Sequence, residues 1–329
     1  VTGAPQSSGA LLFSRVDGCH GIEVAWLWFV KSEFVIVIKN FKIALLASLP
    51  LIATNASFAG YAEGVAAFDK KDYKAAFSEL KPLADAGDGE AQNYVGLMYE
   101  YGSGIKKDEQ EAAKWYEKSL LKGSGEGSWN FGRSQLYDIG VKGDKNLAYL
   151  TFLILTSKGD ERAAYAAGIM ESDGKYPTFT SYPKAIAHFK QAAEKGSVNA
   201  LYELGLVYAK QGNDGEALKY YDQAAEKGDL DALYEAGEIY SKQGNNGQSL
   251  YYLKQAADRG NVRAIYKLGV MYFKGDGVDE DGYEAVRYFR LAVNAGSLDA
   301  INALGAAYRS GVGVPQNKVI AYALFSKAV

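Results

Sequence analysis

The chain has 329 residues, 48% of them hydrophobic, and a formal net charge of −3. That is enough apolar material for a large core, and the acidic balance argues against a nucleic-acid partner. One cysteine (Cys19) and two histidines (His20, His188) leave too little for a disulfide framework, a thiolate or zinc site, or His-based acid–base chemistry, so neither cofactor nor metal is expected.

Residues 1–38 contain two apolar patches, Ile22–Val30 and Phe34–Ile38, divided by Lys31 and Glu33. They are read as an over-extended reading of the gene, with translation starting near Val37–Lys39, or as a disordered leader. An uncleaved membrane anchor is disfavoured, because charges interrupt the apolar run. Residues 39–59 have the order of a signal peptide: basic Lys39-Asn40-Phe41-Lys42, a short apolar run from Ile43 to Ala53, then small Ser57 and Ala59. Cleavage is expected after Ala59, giving an exported, periplasmic or secreted protein with no stable membrane insertion. Cys19 lies ahead of that point, so a lipid anchor is not supported and the mature chain has no thiol.

From residue 61 the chain repeats itself. Glycines stand at 87, 123, 159, 196, 228, 260 and 296, spaced 36, 36, 37, 32, 32 and 36 residues apart. Nine residues after each comes another: Gly96, Gly132, Gly168, Gly205, Gly237, Gly269 and Gly305. Four residues after each anchor stands an alanine, with Gly127 the exception. Each copy reads as two helices. The first carries Ala, Leu and Tyr four apart on one face, as in Ala200, Leu204 and Tyr208. A mid-helix glycine costs about 1 kcal/mol relative to alanine, so its recurrence implies a close neighbour.

A glycine turn closes the first helix, as at Gly102-Ser103-Gly104, Gly275-Asp276-Gly277 and Gly311-Val312-Gly313. Asp108, Asp144, Asp281 and Asn317 are then placed to cap the second helix. The two 32-residue copies shorten the turn, at Gln211-Gly212-Asn213 and Gln243-Gly244-Asn245. Copies two and three are the most degraded, with Gly127, Gln135 and Glu171 at unusual positions and Tyr176–Pro183 inserted in a turn. Val329 falls inside the last second helix. Either the natural chain continues, or the last apolar face is a contact surface.

The pattern Ala-x-x-x-Leu-Gly-x-x-Tyr, Gly-x-Gly-Val, Asp, Ala-x-x-Tyr-Tyr/Phe resembles the Sel-one-like (SLR) repeat, a relative of the tetratricopeptide repeat, over residues 87–329. Residues 60–86 resemble a leading tetratricopeptide-like helix pair. The resemblance implies an all-α, right-handed α/α solenoid of seven Sel-one-like helix pairs after that leading pair, with a concave face and an adaptor or scaffold role. One helix pair cannot bury its apolar face alone, whereas stacked neighbours can.

Six residues after the anchors stand Asn93, Trp129, Tyr165, Tyr202, Tyr234, Tyr266 and Asn302. The five aromatics Trp129, Tyr165, Tyr202, Tyr234 and Tyr266 are the candidate partner-binding ladder, since tyrosine joins a rigid ring to a hydroxyl at small entropic cost. They could equally pack against neighbouring repeats. Glu203, Glu235, Glu238, Arg263 and Lys267 lie near the stripe and could set charge selectivity, or simply be solvated. The favoured function is a non-catalytic protein- or peptide-binding scaffold of the bacterial cell envelope. A glycan or cell-wall-fragment binder is the first alternative. Cysteine-rich relatives linked to β-lactam hydrolysis suggest a hydrolase, but their cysteine pairs are missing here and Glu100 and Glu171 have no evident activating partner.

Overall fold

The computed structural model describes residues 24–30, 33–38 and 55–327, with side chains from Gly60 to Lys327. Residues 39–54 of the expected signal peptide lie outside the described residues, as does most of the leader before Val24. The two apolar patches of the leader pair as an antiparallel hairpin, β1 (Val24–Val30) and β2 (Glu33–Ile38), with Phe29 opposite Phe34. The all-α expectation holds from Asn55 onward, beyond these two segments. Both segments are rich in β-branched and aromatic residues, which suit a pleated strand better than a helix.

From Asn55 onward the chain is helical, and it divides into two compact units, residues 1–155 and 156–329. The first unit holds α1 (Asn55–Asp69), α2 (Tyr73–Asp85), α3 (Gly89–Tyr101), α4 (Glu109–Leu121), α5 (Gly125–Tyr137) and α6 (Lys145–Ser157), which runs two residues past the division. The expected cleavage point after Ala59 falls inside α1.

The second unit holds five helix pairs. They are α7 (Glu161–Ser172) with α8 (Tyr182–Glu194), α9 (Val198–Lys210) with α10 (Asp214–Glu226), and α11 (Leu230–Lys242) with α12 (Asn246–Asp258). The last two are α13 (Val262–Lys274) with α14 (Gly282–Asn294) and α15 (Leu298–Ser310) with α16 (Lys318–Lys327). The 36- and 32-residue copies therefore differ in the turn, not in the helices. Residues 211–213 suffice between α9 and α10, whereas α13 and α14 are joined by 275–281. The insertion in the third copy is the loop 173–181, with Pro183 in the first turn of α8, where its missing N–H costs nothing.

Local chemistry fixes the boundaries. The anchor glycines all have positive φ, from 81° at Gly123 to 105° at Gly196, and so turn the chain from one repeat into the next. The residue after each anchor then caps the following helix. Asp88 accepts from Ala91 N at 2.8 Å, Asp229 from Ala232 N at 3.0 Å and Asn261 from Ala264 N at 2.9 Å. The four caps expected on the second helices are all made. Asp108 accepts from Glu111 N, Asp144 from Asn146 N and Leu147 N, Asp281 from Tyr283 N and Glu284 N, and Asn317 from Val319 N and Ile320 N.

The mid-helix glycines are contact points between the two helices of a repeat. A β-carbon on Gly96 would lie 2.6 Å from the Tyr116 ring. One on Gly132, Gly168, Gly269 or Gly305 would meet Phe152, Phe189, Phe289 or Phe325 at 2.6–2.7 Å, and one on Gly205 would strike the Tyr221 ring. Gly237 faces Leu253 instead, at 2.8 Å. In each case a large second-helix side chain packs against the bare backbone of the first helix. Alanines at the approaching faces, such as Ala200, Ala232, Ala264 and Ala300, are fully buried, and they let successive helices pack at short range.

Candidate functional site

Within the second unit, consecutive first helices approach one another, α9 with α11 and α13 with α15, more closely than any consecutive second helices do. The first helices therefore form the inner layer of this unit. That layer presents Tyr165 from α7, Tyr202 from α9, Tyr234 from α11 and Tyr266 from α13 at the same helical position. All four are half-buried. Trp129 occupies the position in the first unit, also half-buried. Asn93, one repeat earlier, is buried and accepts a hydrogen bond from Asn130 Nδ2 at 2.8 Å, so there the position belongs to the interior.

Each ladder ring leans on the core of its own repeat. Tyr165 meets Phe189 with centroids 5.8 Å apart, Tyr202 meets Tyr221 at 5.9 Å, Tyr266 meets Phe289 at 6.1 Å and Trp129 meets Phe152 at 5.3 Å. Tyr234, whose repeat has Leu253 under the glycine, is covered by the Arg263 guanidinium 4.0 Å above its ring. The ladder residues are thus half structural, with one side of each ring spent on packing. Burial pushes the phenols of Tyr202, Tyr234 and Tyr266 upward, Tyr202 to about 12, so these three remain hydroxyl groups at neutral pH.

Four of the five charged residues near the stripe are partnered across repeats. Arg263 of α13 reaches Glu235 of α11 at 2.9 Å, and Lys267 of α13 reaches Glu238 of α11 at 2.7 Å. Asn261 Nδ2 donates to Asp231 at 2.9 Å in the same seam. These pairs fix the register of α11 against α13. Glu203, the fifth, sits between Tyr165 and Lys210, and burial raises its carboxyl above the usual range.

The carboxylates weighed for catalysis have structural partners. In the first unit Glu100 accepts from Tyr116 Oη at 2.6 Å and from Arg133 Nη2. Burial alone would raise its carboxyl; the bonds from Arg133 and Tyr116 outweigh that and hold it below the usual carboxylate range. A carboxyl depressed on folding adds stability above its ordinary value, and that stability drains away as pH falls through the folded value. Urea midpoints of the protein and of Glu100→Gln, compared near pH 6 and below about pH 4, are expected to show a smaller acid loss for the variant. Parallel losses would remove Glu100 from the account. In the second unit Glu171 is fully buried with the His188 imidazole 2.7 Å away. Among the described residues no group of three or more His, Cys, Asp or Glu side chains could hold a metal ion, and no helix is long and apolar enough to cross a membrane.

Two features escaped the sequence reading. The inter-repeat caps after the anchor glycines were visible as Gly followed by Asp, Ser or Asn in every copy. The ring stacks between the helices of a repeat, Tyr208 on Tyr220 at 5.5 Å and Tyr272 on Tyr288 at 5.7 Å, need the helix pairing to be seen.

Comparison with known proteins agrees with this geometry. The Sel1 repeat matches residues 89–124, 161–197, 231–261, 262–297 and 298–329, together more than half of the chain. A tetratricopeptide repeat matches 180–232, across the shortened fourth copy. The copy carrying Gly127 and Gln135 is matched by neither, although it folds as the helix pair α5–α6. No curated protein matches the chain. Among solved structures, a protective antigen of uropathogenic Escherichia coli with an SLR fold is 27% identical with a TM-score of 0.69, covering 83% of this chain. The chain spans 61% of that antigen's length. A Sel1 repeat protein from Oxalobacter formigenes is 28% identical with a TM-score of 0.67, covering 83% of each chain. Yeast Tom70, 13% identical with a TM-score of 0.50 over 88% of this chain and 63% of its own, shares the fold alone. The seven-fold glycine register, the glycine-on-ring contact in six of the seven copies and the five matched repeats have one source: the chain belongs to the Sel1 repeat family.

Proposed function

We propose that the protein is a non-catalytic scaffold of the bacterial cell envelope, exported under a signal peptide cleaved after Ala59, that holds an extended segment of a partner protein along its first helices. The repeat family supports the scaffold role, since such repeats bury their apolar faces against each other and leave a long surface for a partner. The observation that carries the reading is the row Tyr165, Tyr202, Tyr234 and Tyr266, at one position on four consecutive first helices, each half-buried with its ring held against a neighbouring side chain. Such half-buried rings suit recognition because their orientation is already fixed.

The test is a capture experiment with an internal control. Residues 60–329 are immobilised beside a variant with Tyr202→Leu, Tyr234→Leu and Tyr266→Leu, and a detergent extract of the native envelope is passed over both. Leucine keeps an apolar body on the ring or guanidinium beneath while removing the aromatic face and the hydroxyl. A protein retained by the unchanged column and lost from the variant is expected. Equal retention would make the tyrosines purely structural. Retention only of cell-wall glycan would replace the protein partner with a polysaccharide.

A further inference from the structure

A second surface lies on α14, the second helix of the sixth repeat. A cavity of about 380 Å³ opens there between α14 and the turn that joins α15 to α16. Tyr283, Val286, Arg287, Arg290, Leu291 and Asn294 line it from one face of α14, and Gly313 and Val314 close it from the turn. Tyr283 is 80% exposed and Leu291 43% exposed, so two apolar side chains stand open beside a cation.

The cation is Arg290. Its neighbour Arg287 is neutralised by Glu284, which it contacts at 2.7 Å, and lies over the Tyr288 ring. Arg290 has only the Tyr308 hydroxyl, which accepts from its Nη2 at 3.1 Å; among the described residues it makes no ion pair. The corresponding residue of α10 is Asp222, whose carboxylate accepts from Tyr252 of the next second helix at 2.8 Å. In α16 the position of that tyrosine is held by Leu324, which has no hydroxyl.

Packing does not require this chemistry. The positions of Tyr283, Arg290 and Leu291 are occupied by Gly215, Asp222 and Gln223 in α10, and by Gly247, Lys254 and Gln255 in α12. Those helices make the same repeat with the same caps. The sixth repeat alone among these three joins an exposed ring, an exposed leucine and an arginine without a carboxylate around a cavity.

We infer that this cleft on α14 docks a segment of a partner protein in which a carboxylate side chain stands beside an apolar one. The guanidinium supplies a charge-assisted donor for the carboxylate, Asn294 a further polar group, and Val286, Leu291 and Val314 an apolar floor. A neutral apolar segment would leave Arg290 covered and without a carboxylate, and a purely acidic one would leave the floor unused.

The test uses the full chain with labelled Ile, Leu and Val methyl groups, because Val286, Leu291 and Val314 then report from inside the cleft. The probes are the peptide acetyl-Leu-Asp-Phe-Glu-Leu-amide and its neutral counterpart acetyl-Leu-Asn-Phe-Gln-Leu-amide. The acidic peptide is expected to shift those three methyl signals. The neutral peptide, and the acidic peptide against Arg290→Met, are expected to bind about tenfold more weakly. Arg290 is exposed, and the remaining methyl signals show whether the variant stays folded. Unmoved signals at the three positions, equal binding of both peptides, or shifts confined to methyls outside the cleft would each overturn the inference.

Discussion

Gly269→Val is expected to destabilise the protein by about 3 kcal/mol, whereas Gly247→Ala is expected to stabilise it by up to about 1 kcal/mol. Both glycines are inside helices, α13 and α12, so backbone propensity alone would favour replacing either. Their surroundings reverse the sign for one of them. A β-carbon on Gly269 would lie 2.6 Å from Cδ1 of Phe289 and 3.3 Å from the Ala285 carbonyl oxygen. Phe289 is 1% exposed and Ala285 fully buried, so the ring has no free volume to move into. Overpacking of this kind costs about 1–3 kcal/mol or more. Valine's poor helix propensity leaves little gain to offset it. A β-carbon on Gly247 meets nothing within 4 Å. Urea unfolding followed by far-UV circular dichroism separates the two. Repeat arrays can unfold in parts, so the transition that shifts should be the one containing the altered repeat, the sixth for Gly269 and the fifth for Gly247. An unchanged midpoint for Gly269→Val would mean that the Phe289 ring can swing away and that the recurring glycine serves something other than this contact.

That glycine shows how much of the fold was legible. Its seven-fold recurrence, with alanine four after the anchor, is a one-dimensional signal, and a solenoid is nearly one-dimensional: each repeat contacts its neighbours, so the period alone specifies the architecture. The close approach at the glycine could be anticipated, because a residue that weakens a helix is retained only against a gain elsewhere. The identity of the neighbour could not, since Phe289 comes 20 residues later. The leader offered no such signal. Val24–Val30 and Glu33–Ile38 have no repeat register to guide them, and short apolar runs do not by periodicity distinguish strand from other structure.

The candidate site was less legible. The positions of Tyr165, Tyr202, Tyr234 and Tyr266 followed from the register, but their surroundings depend on contacts between helices. Arg263 and Lys267 looked like solvated charges in sequence; in the structure they lie against Glu235 and Glu238 of the preceding repeat. Arg290 looked equivalent to any other helix arginine, and only the cavity beside it and the carboxylate it lacks set it apart.

His188→Phe is expected to cost about 3 kcal/mol, and the double change Glu171→Tyr with His188→Tyr to recover most of that loss. Glu171 and His188 are in register with the ring pairs of the neighbouring repeats. In the fourth, fifth and sixth repeats the two helices meet through ring stacks: Tyr208 on Tyr220 at 5.5 Å, Tyr240 on Tyr252 at 5.4 Å and Tyr272 on Tyr288 at 5.7 Å. Glu171 and His188 occupy these positions in the third repeat and meet through a 2.7 Å contact. The single change takes the imidazole, one of its partners, away from a carboxyl group with no exposure to water, and losing a buried polar contact of this kind is costly. The double change removes the carboxyl group and the imidazole together and installs the side chains that the sister repeats already pack at this spot, so its cost should fall within about 1 kcal/mol. The loop 173–181 does not forbid it, because its hydrogen bond from Ser181 N goes to the Glu171 backbone oxygen and survives the substitution. Urea midpoints of the protein and the two variants decide the matter. Equal destabilisation of both would show that this repeat has diverged around its Glu–His pair and no longer accepts the stacked rings of its neighbours.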